Sequence, residues 1–337
     1  MIMLKKLPLL FLLSAVLLVA AGALFHHFFI QSVDTPTGSS VSVHDLEITP
    51  GMTLTQVAQV LADRGLIHSA FTFRVLARLQ NQDEHIQAGE YRLRTDMTHR
   101  EMLAVLTQGK VTLKRISIPE GFTLKQIAAA VEAANLVNST AFKKAATDPD
   151  ILAQYQIPNS TAEGYLYPET YFFAPKTSAE AVVNAMLMLF ESVFTDDMKK
   201  RAQEMGFSRH AVVTLASIVE KEAGNSEEYP IIASVFHNRL KKGMRLESDP
   251  TVIYGVGDDF DGNITRKHLT TPTPYNTYTI SGIPPGPIAS PSKGALGAVL
   301  HPADTDYFYF VSKNNGFHHF SKTYAEHRRM VRKYQLH

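Results

Sequence analysis

The chain contains no cysteine among its 337 residues, which excludes thiol catalysis, disulfide staples and Cys-ligated zinc or iron-sulfur centres. Tryptophan is missing too, so the largest ring for stacking on sugars is not available. Neither sign of charge is in excess: 33 Lys and Arg face 32 Asp and Glu, a net charge of +1 that offers no field for nucleic acid. What is present is a globular composition, 45% apolar and 19% charged, with length for about two domains.

The longest apolar run is at the N-terminus, where Lys5 and Lys6 precede Leu7 to Ile30. About 20 such residues at 1.5 Å each cross a hydrocarbon core of about 30 Å. A single span over residues 1–30 is expected, with the lysines cytoplasmic and the rest of the chain outside the cytoplasmic (inner) membrane. The competing reading is a signal peptide cleaved near Ala21-Gly22-Ala23, but the apolar residues continue past that site to Ile30. Residues 31–45, rich in Ser, Thr, Gly and Pro, are expected to be a flexible tether.

An internal repeat follows. Ile48, Gly51, Thr53, Leu54, Gln56, Ala58, Leu66 and Ser69 recur 70 positions later as Ile118, Gly121, Thr123, Leu124, Gln126, Ala128, Leu136 and Ser139. Each copy spells a short strand, a Gly turn, a Thr N-cap and an amphipathic helix. With a strand near Ala88–Leu93 and a helix opened by Thr98, residues 46–115 predict a small βαβα module. This strand-turn-helix unit resembles the first half of the LysM module, which lies along N-acetylated glycan; a plain spacer is the alternative.

Beyond Thr161 the texture changes. Five aromatics fall within Glu163–Phe173, and amphipathic helices are expected from about Ser178 to Met205 and from Ser208 to Ala223. At 100° per residue, Glu222 falls at the end of the apolar stripe of the second helix, whereas Glu220 lies about 140° round, beside Ser217 and Lys221. A carboxyl at the end of an apolar stripe is partly desolvated, which raises its pKa and suits it to general acid work. An ordinary helix-terminal Glu at a solvated rim is the bland alternative.

The blocks Leu215–Glu222, Ala233–Leu240, Gly243–Gly255, Pro274–Tyr278 and Gly282–Ile288, with His301-Pro302 and Tyr309-Phe310-Val311, resemble the MltG (YceG-like) family of endolytic murein transglycosylases across nearly the whole chain. The resemblance implies an α+β fold: an N-terminal transmembrane helix, a LysM-like α+β module, and a mixed α/β catalytic domain over residues 116–337 that begins with the second repeat. It implies Glu222 as catalytic residue, from the second Glu of the IVEKE-type motif. Asp249, Tyr254, Asn276 and Tyr278 follow as substrate-binding candidates on the motif loops, each with a plain structural alternative in a turn or the core. The substrate implied is peptidoglycan, the partners penicillin-binding synthases at the membrane, and no cofactor is implied. His301, His318, His319 and His327 match no usual zinc spacing, so no metal is expected. Two other readings stay open: a non-catalytic glycan-binding scaffold, and a muramidase-type hydrolase using Asp249 as second carboxylate.

Overall fold

The computed structural model describes residues 7–38, 41–109 and 113–336, and divides into two compact units, Met1–Lys114 and Arg115–His337. The first unit begins with α1 (Leu7–Asp34), followed by β1 (Val43–Ile48), α2 (Leu54–Asp63), α3 (Ala70–Leu79), β2 (Gly89–Arg94) and α4 (His99–Thr107). Lys5 and Lys6, on which the expected orientation rests, lie outside the described residues.

Helix α1 has 28 residues and is long and apolar enough to cross a membrane from Val16 to Asp34. At 1.5 Å per residue it extends about 42 Å, more than a hydrocarbon core of about 30 Å needs. Its last turns are accordingly not a tether. Val33 is wholly buried in the core of the unit, Ser32 Oγ meets Thr72 Oγ1 at 3.0 Å, and Asp34 pairs with Arg100 at 3.1 Å. The expected tether also loses its far end, because Val43 already pairs with Arg94 in the antiparallel β1–β2 ribbon.

In that ribbon Leu46 faces Tyr91, and both are buried together with Ile48 and Leu93. The expected βαβα order is corrected to β-α-α-β-α. Ser69 accepts from Thr72 N and caps α3, a helix that the period analysis did not separate.

The second unit opens within β3 (Lys114–Ser117), whose first residue ends the first unit, and runs on through α5 (Leu124–Ala133), α6 (Ser139–Ala145), α7 (Pro149–Gln154), β4 (Thr170–Phe173), α8 (Ala179–Val193), α9 (Asp196–Glu204) and α10 (Arg209–Glu222). It continues with α11 (Tyr229–Lys241), α12 (Asp249–Val256), α13 (Arg266–Thr270), α14 (Lys293–Leu300), β5 (Tyr309–Ser312), β6 (His318–Ser321) and α15 (Tyr324–Gln335). Strand β3 pairs with β4 and β5 with β6, so the strands stay small and helices carry the core. The stretch expected to be one helix from Ser178 to Met205 breaks at Phe194, where Thr195 caps α9 instead.

Helix α10 is the centre of this core. It packs against α9, α11, α12 and α14, and every residue from Val212 to Val219 is buried. The supposed polar side is therefore covered as well: Ser217 Oγ accepts from Ile288 N at 3.0 Å, which pins the Pro-rich loop across the helix.

Candidate active site

Ser208 starts α10 by accepting from Ala211 N, and the helix stops at Glu222 because Ala223 turns extended. Gly224 then passes so close to another chain segment that a Cβ there would lie 2.7 Å from the carbonyl oxygen of Gly316. Only glycine tolerates that approach. The turn leaves the Glu222 side chain half-buried on a cleft of about 410 Å³ that it shares with Arg239, Glu247, Asp249, Tyr278 and Tyr309.

Ser248 fixes the carboxyl. It stands at the N-cap position of α12, where a serine ordinarily accepts from the helix backbone. Here its hydroxyl makes no cap bond and instead donates to Glu222 Oε1 at 2.5 Å. Ser248 is itself locked: its N–H donates to Thr277 Oγ1 at 2.9 Å, and its carbonyl accepts from Thr251 Oγ1 at 2.6 Å. A local rule broken by a buried serine marks a place where something other than helix stability is served.

Burial pushes the Glu222 carboxyl up to about 7, and the nearby charge of Asp249 adds to the rise, while the Ser248 hydrogen bond and the charge of Arg239 oppose it. Arg239 is 6% exposed, and its Nη1 donates to Leu246 O at 2.6 Å while Nε donates to Phe308 O at 2.7 Å. Its guanidinium also meets Glu247 at 3.4 Å. Glu247 holds a φ of +49°, a left-handed conformation uncommon outside glycine, directly before Ser248. Together these groups make a desolvated acid near neutrality, with a fixed cation to steady it once ionised.

Over residues 46–333 the chain matches the YceG-like family. It belongs to that family. It is similar to the endolytic murein transglycosylase of Bacillus subtilis, 32% identical over 334 residues that cover 94% of this chain and 91% of that one. The protein of the same name from Streptococcus pneumoniae R6 is 28% identical over 335 residues, covering 90% of this chain but 60% of that longer relative. A crystal structure of a yceG-like protein from Listeria monocytogenes has a TM-score of 0.59 and 32% identity, covering 86% of this chain and all of that one.

In this YceG-like chain, three of the five expected site residues meet in one cleft. Asp249 lies exposed at the start of α12 and accepts from Tyr278 OH at 2.7 Å, beside Glu222. Burial, then that bond and the surrounding carboxylates, push the Tyr278 phenol up. Tyr254 does not line the cleft. It borders a second cavity of about 760 Å³ and donates to Glu163 at 3.2 Å. Burial raises the Glu163 carboxyl to about 7 against hydrogen bonds from Leu124 N, Tyr254 OH and Gly164 N.

Asn276 is fully buried, and its Nδ2 donates to the carbonyls of His268, Leu269 and Thr271 while Oδ1 accepts from Tyr278 N. It shapes the loop that presents Tyr278, and no face of it is left for a ligand. Of the four histidines, His318 pairs with buried Glu228 at 2.7 Å and His327 stacks on Tyr309 at 5.3 Å.

Ser248 and Arg239 were missed by residue-level reading. Arg239 carries a usable signal: it falls three residues after Phe236 and seven after Ile232, on the buried stripe of α11, where a cation needs a reason. Ser248 carries none, since Ser-Asp-Pro reads as an ordinary helix start.

Proposed function

We propose that this chain is a membrane-anchored endolytic murein transglycosylase that cuts the β-1,4 bond between N-acetylmuramic acid and N-acetylglucosamine inside a glycan strand, ending elongation near the synthases that polymerise it. The observation that carries the reading is the Glu222 carboxyl, raised to about 7 and held by Ser248 in the cleft. Its proton goes to the glycosidic oxygen as the bond to the anomeric carbon breaks. The carboxylate, steadied by Arg239, then takes the proton of the muramic C6 hydroxyl as that oxygen bonds to the anomeric carbon. The product is a 1,6-anhydro end, and no water is consumed. The nucleophile is part of the substrate, so one acid suffices where a glycosidase would need two carboxylates. Helix α1 supports the anchor, and the strand-turn-helix likeness of residues 46–115 supports a glycan-holding module.

Glu222→Gln tests the reading. Gln keeps the shape but exchanges no proton, and loss of a general acid and base costs about 10² to 10⁴ in rate. Mass spectrometry of digested peptidoglycan should show anhydro ends with the wild type and none with the variant. Reducing ends, together with an equally dead Asp249→Asn, would establish the hydrolase, and an uncut glycan the scaffold. Cleavage should also fall as pH rises through about 7, where Glu222 loses the proton it must donate. The folded protein keeps that proton while the unfolded chain, at the ordinary 4.5, has released it, so stability falls as pH climbs from about 4.5 to 7. Glu222→Gln should reduce that slope in a pH series of urea unfolding, leaving the share of Glu163, which burial also raises to about 7.

A further inference from the structure

Helix α15 has no buried residue, although Tyr324, His327, Val331 and Gln335 follow one another at helical spacing. On an ordinary amphipathic helix such a stripe is sealed against a core. Here all four line the cavity that contains Glu222. The helix packs on β5 and β6 through this same face, which holds the stripe in place while its outer part stays open to the cavity.

Within that face the aromatics are not equivalent. The ring of Tyr309 on β5 is already engaged: the Arg239 guanidinium sits over it at 5.4 Å, and the His327 imidazole stacks on it at 5.3 Å with 23° between planes. Tyr324 lies 5.8 Å from Tyr309 and 6.3 Å from His327, yet it is 59% exposed. A large ring fixed from behind and open in front, on the wall of a polar cleft, is built to receive a flat, partly apolar ligand.

We propose that Tyr324, braced by Tyr309 and His327, is the stacking platform for one pyranose ring of the glycan strand in the cleft that holds Glu222. This rests on the transglycosylase reading. The C–H bonds on one face of a pyranose carry slight positive charge and little affinity for water. A tyrosine ring offers the matching negative face and keeps its hydroxyl wet. With no tryptophan in the chain the contact falls to tyrosine or phenylalanine, and of the rings on this cavity Tyr324 is the one that stands 59% exposed.

The test uses the full-length protein and glycan strands prepared from peptidoglycan. Tyr324→Ala should raise KM about 3- to 10-fold, the usual weight of one stacked aromatic, with kcat nearly unchanged. Tyr324→Trp should restore KM, and Tyr324→Leu, which fills space without a ring, should not. Arg329→Ala, exposed on the same helix and outside the cleft, serves as the control with unaltered KM. In the Glu222→Gln background, affinity for uncut strands should fall by the same factor when Tyr324→Ala is added. An unchanged KM and affinity, a fall confined to kcat, or full rescue by Tyr324→Leu would overturn the platform. A wild type that makes no cut would instead sink the transglycosylase reading, and the binding arm would still judge the platform by itself.

Discussion

Thr53 and Thr123 close the same capping box, 70 residues apart, and the turns in front of them have different neighbours. Thr53 N donates to Gln56 Oε1 at 2.8 Å, and Thr123 N donates to Gln126 Oε1 at the same 2.8 Å. Gly51 and Gly121 both take positive φ, +88° and +73°. A Cβ on Gly51 would meet nothing within 4 Å, whereas one on Gly121 would touch Lys221 and Glu220 of α10. Gly121 N also donates to Ser290 O at 2.8 Å, and Lys221 Nζ donates back to Gly121 O at 3.3 Å. Local grammar sets the shape of both turns. Only in the second copy has that shape been joined to the helix that ends in Glu222.

Glu220 provides the largest way to break the comparison, because nothing like it stands beside the first copy. It accepts from Tyr229 OH at 2.7 Å, from Ser292 N at 2.9 Å and from Ser292 Oγ at 2.6 Å, so it ties α10 to the starts of α11 and α14. Glu220→Ala leaves those buried donors without an acceptor and should cost about 3 kcal/mol in the second unit. Glu220→Gln keeps one acceptor oxygen and should cost about half as much. Urea unfolding followed by amide exchange, resolved by unit, should show the loss beyond Arg115 and none in β1–β2. Equal losses in both units would mean that the copies are not separate environments.

That result bears on how the site is encoded. Helix angle alone places Glu220 on a polar side, free of consequence, and Glu222 at the end of an apolar stripe. In the fold α10 is surrounded, so the angle separates apolar from polar but not cleft from core. Glu222 reaches the cleft because the helix ends there and because Ser248, 26 residues on, turns its hydroxyl to it. Capping, by contrast, is written locally. Thr53, Thr98 and Thr123, each followed three residues later by Gln or Glu, announce α2, α4 and α5 in the sequence itself. Helix α3 escaped notice because Phe71 and Leu79 lie 53% and 70% exposed, which blurs its apolar period. Asn276 shows the remaining ambiguity: an amide that binds a sugar and an amide that closes a loop look the same until its partners are known.

The capping boxes themselves offer a smaller, sharper contrast. Thr53→Ala and Thr123→Ala should each lose about 1 kcal/mol, each in its own unit. Only the second should lower cleavage, because Leu124, the first residue it caps, also donates to Glu163 at 2.9 Å and sits one turn from the strap on Lys221. Turnover measured beside the unfolding curves decides this. A loss of activity in Thr53→Ala at unchanged stability of the second unit would show that the first copy acts on catalysis directly.

The smallest effect comes from the glycines and checks whether docking has altered the turn. Alanine in the left-handed region costs about 1 kcal/mol wherever it is placed. Space adds little at either site: Gly51 is open, and at Gly121 the nearest atom to a new Cβ is Lys221 Cδ at 3.5 Å, an ordinary contact with a flexible side chain. Gly51→Ala and Gly121→Ala should therefore destabilise their units almost equally, with Lys221 moving aside by a rotamer change. Paired unfolding curves read the difference directly. A Gly121→Ala penalty well above that of Gly51→Ala would mean that the Lys221 contact is rigid. The second turn would then be a fixed part of the support beneath Glu222 rather than the same turn met by a mobile neighbour.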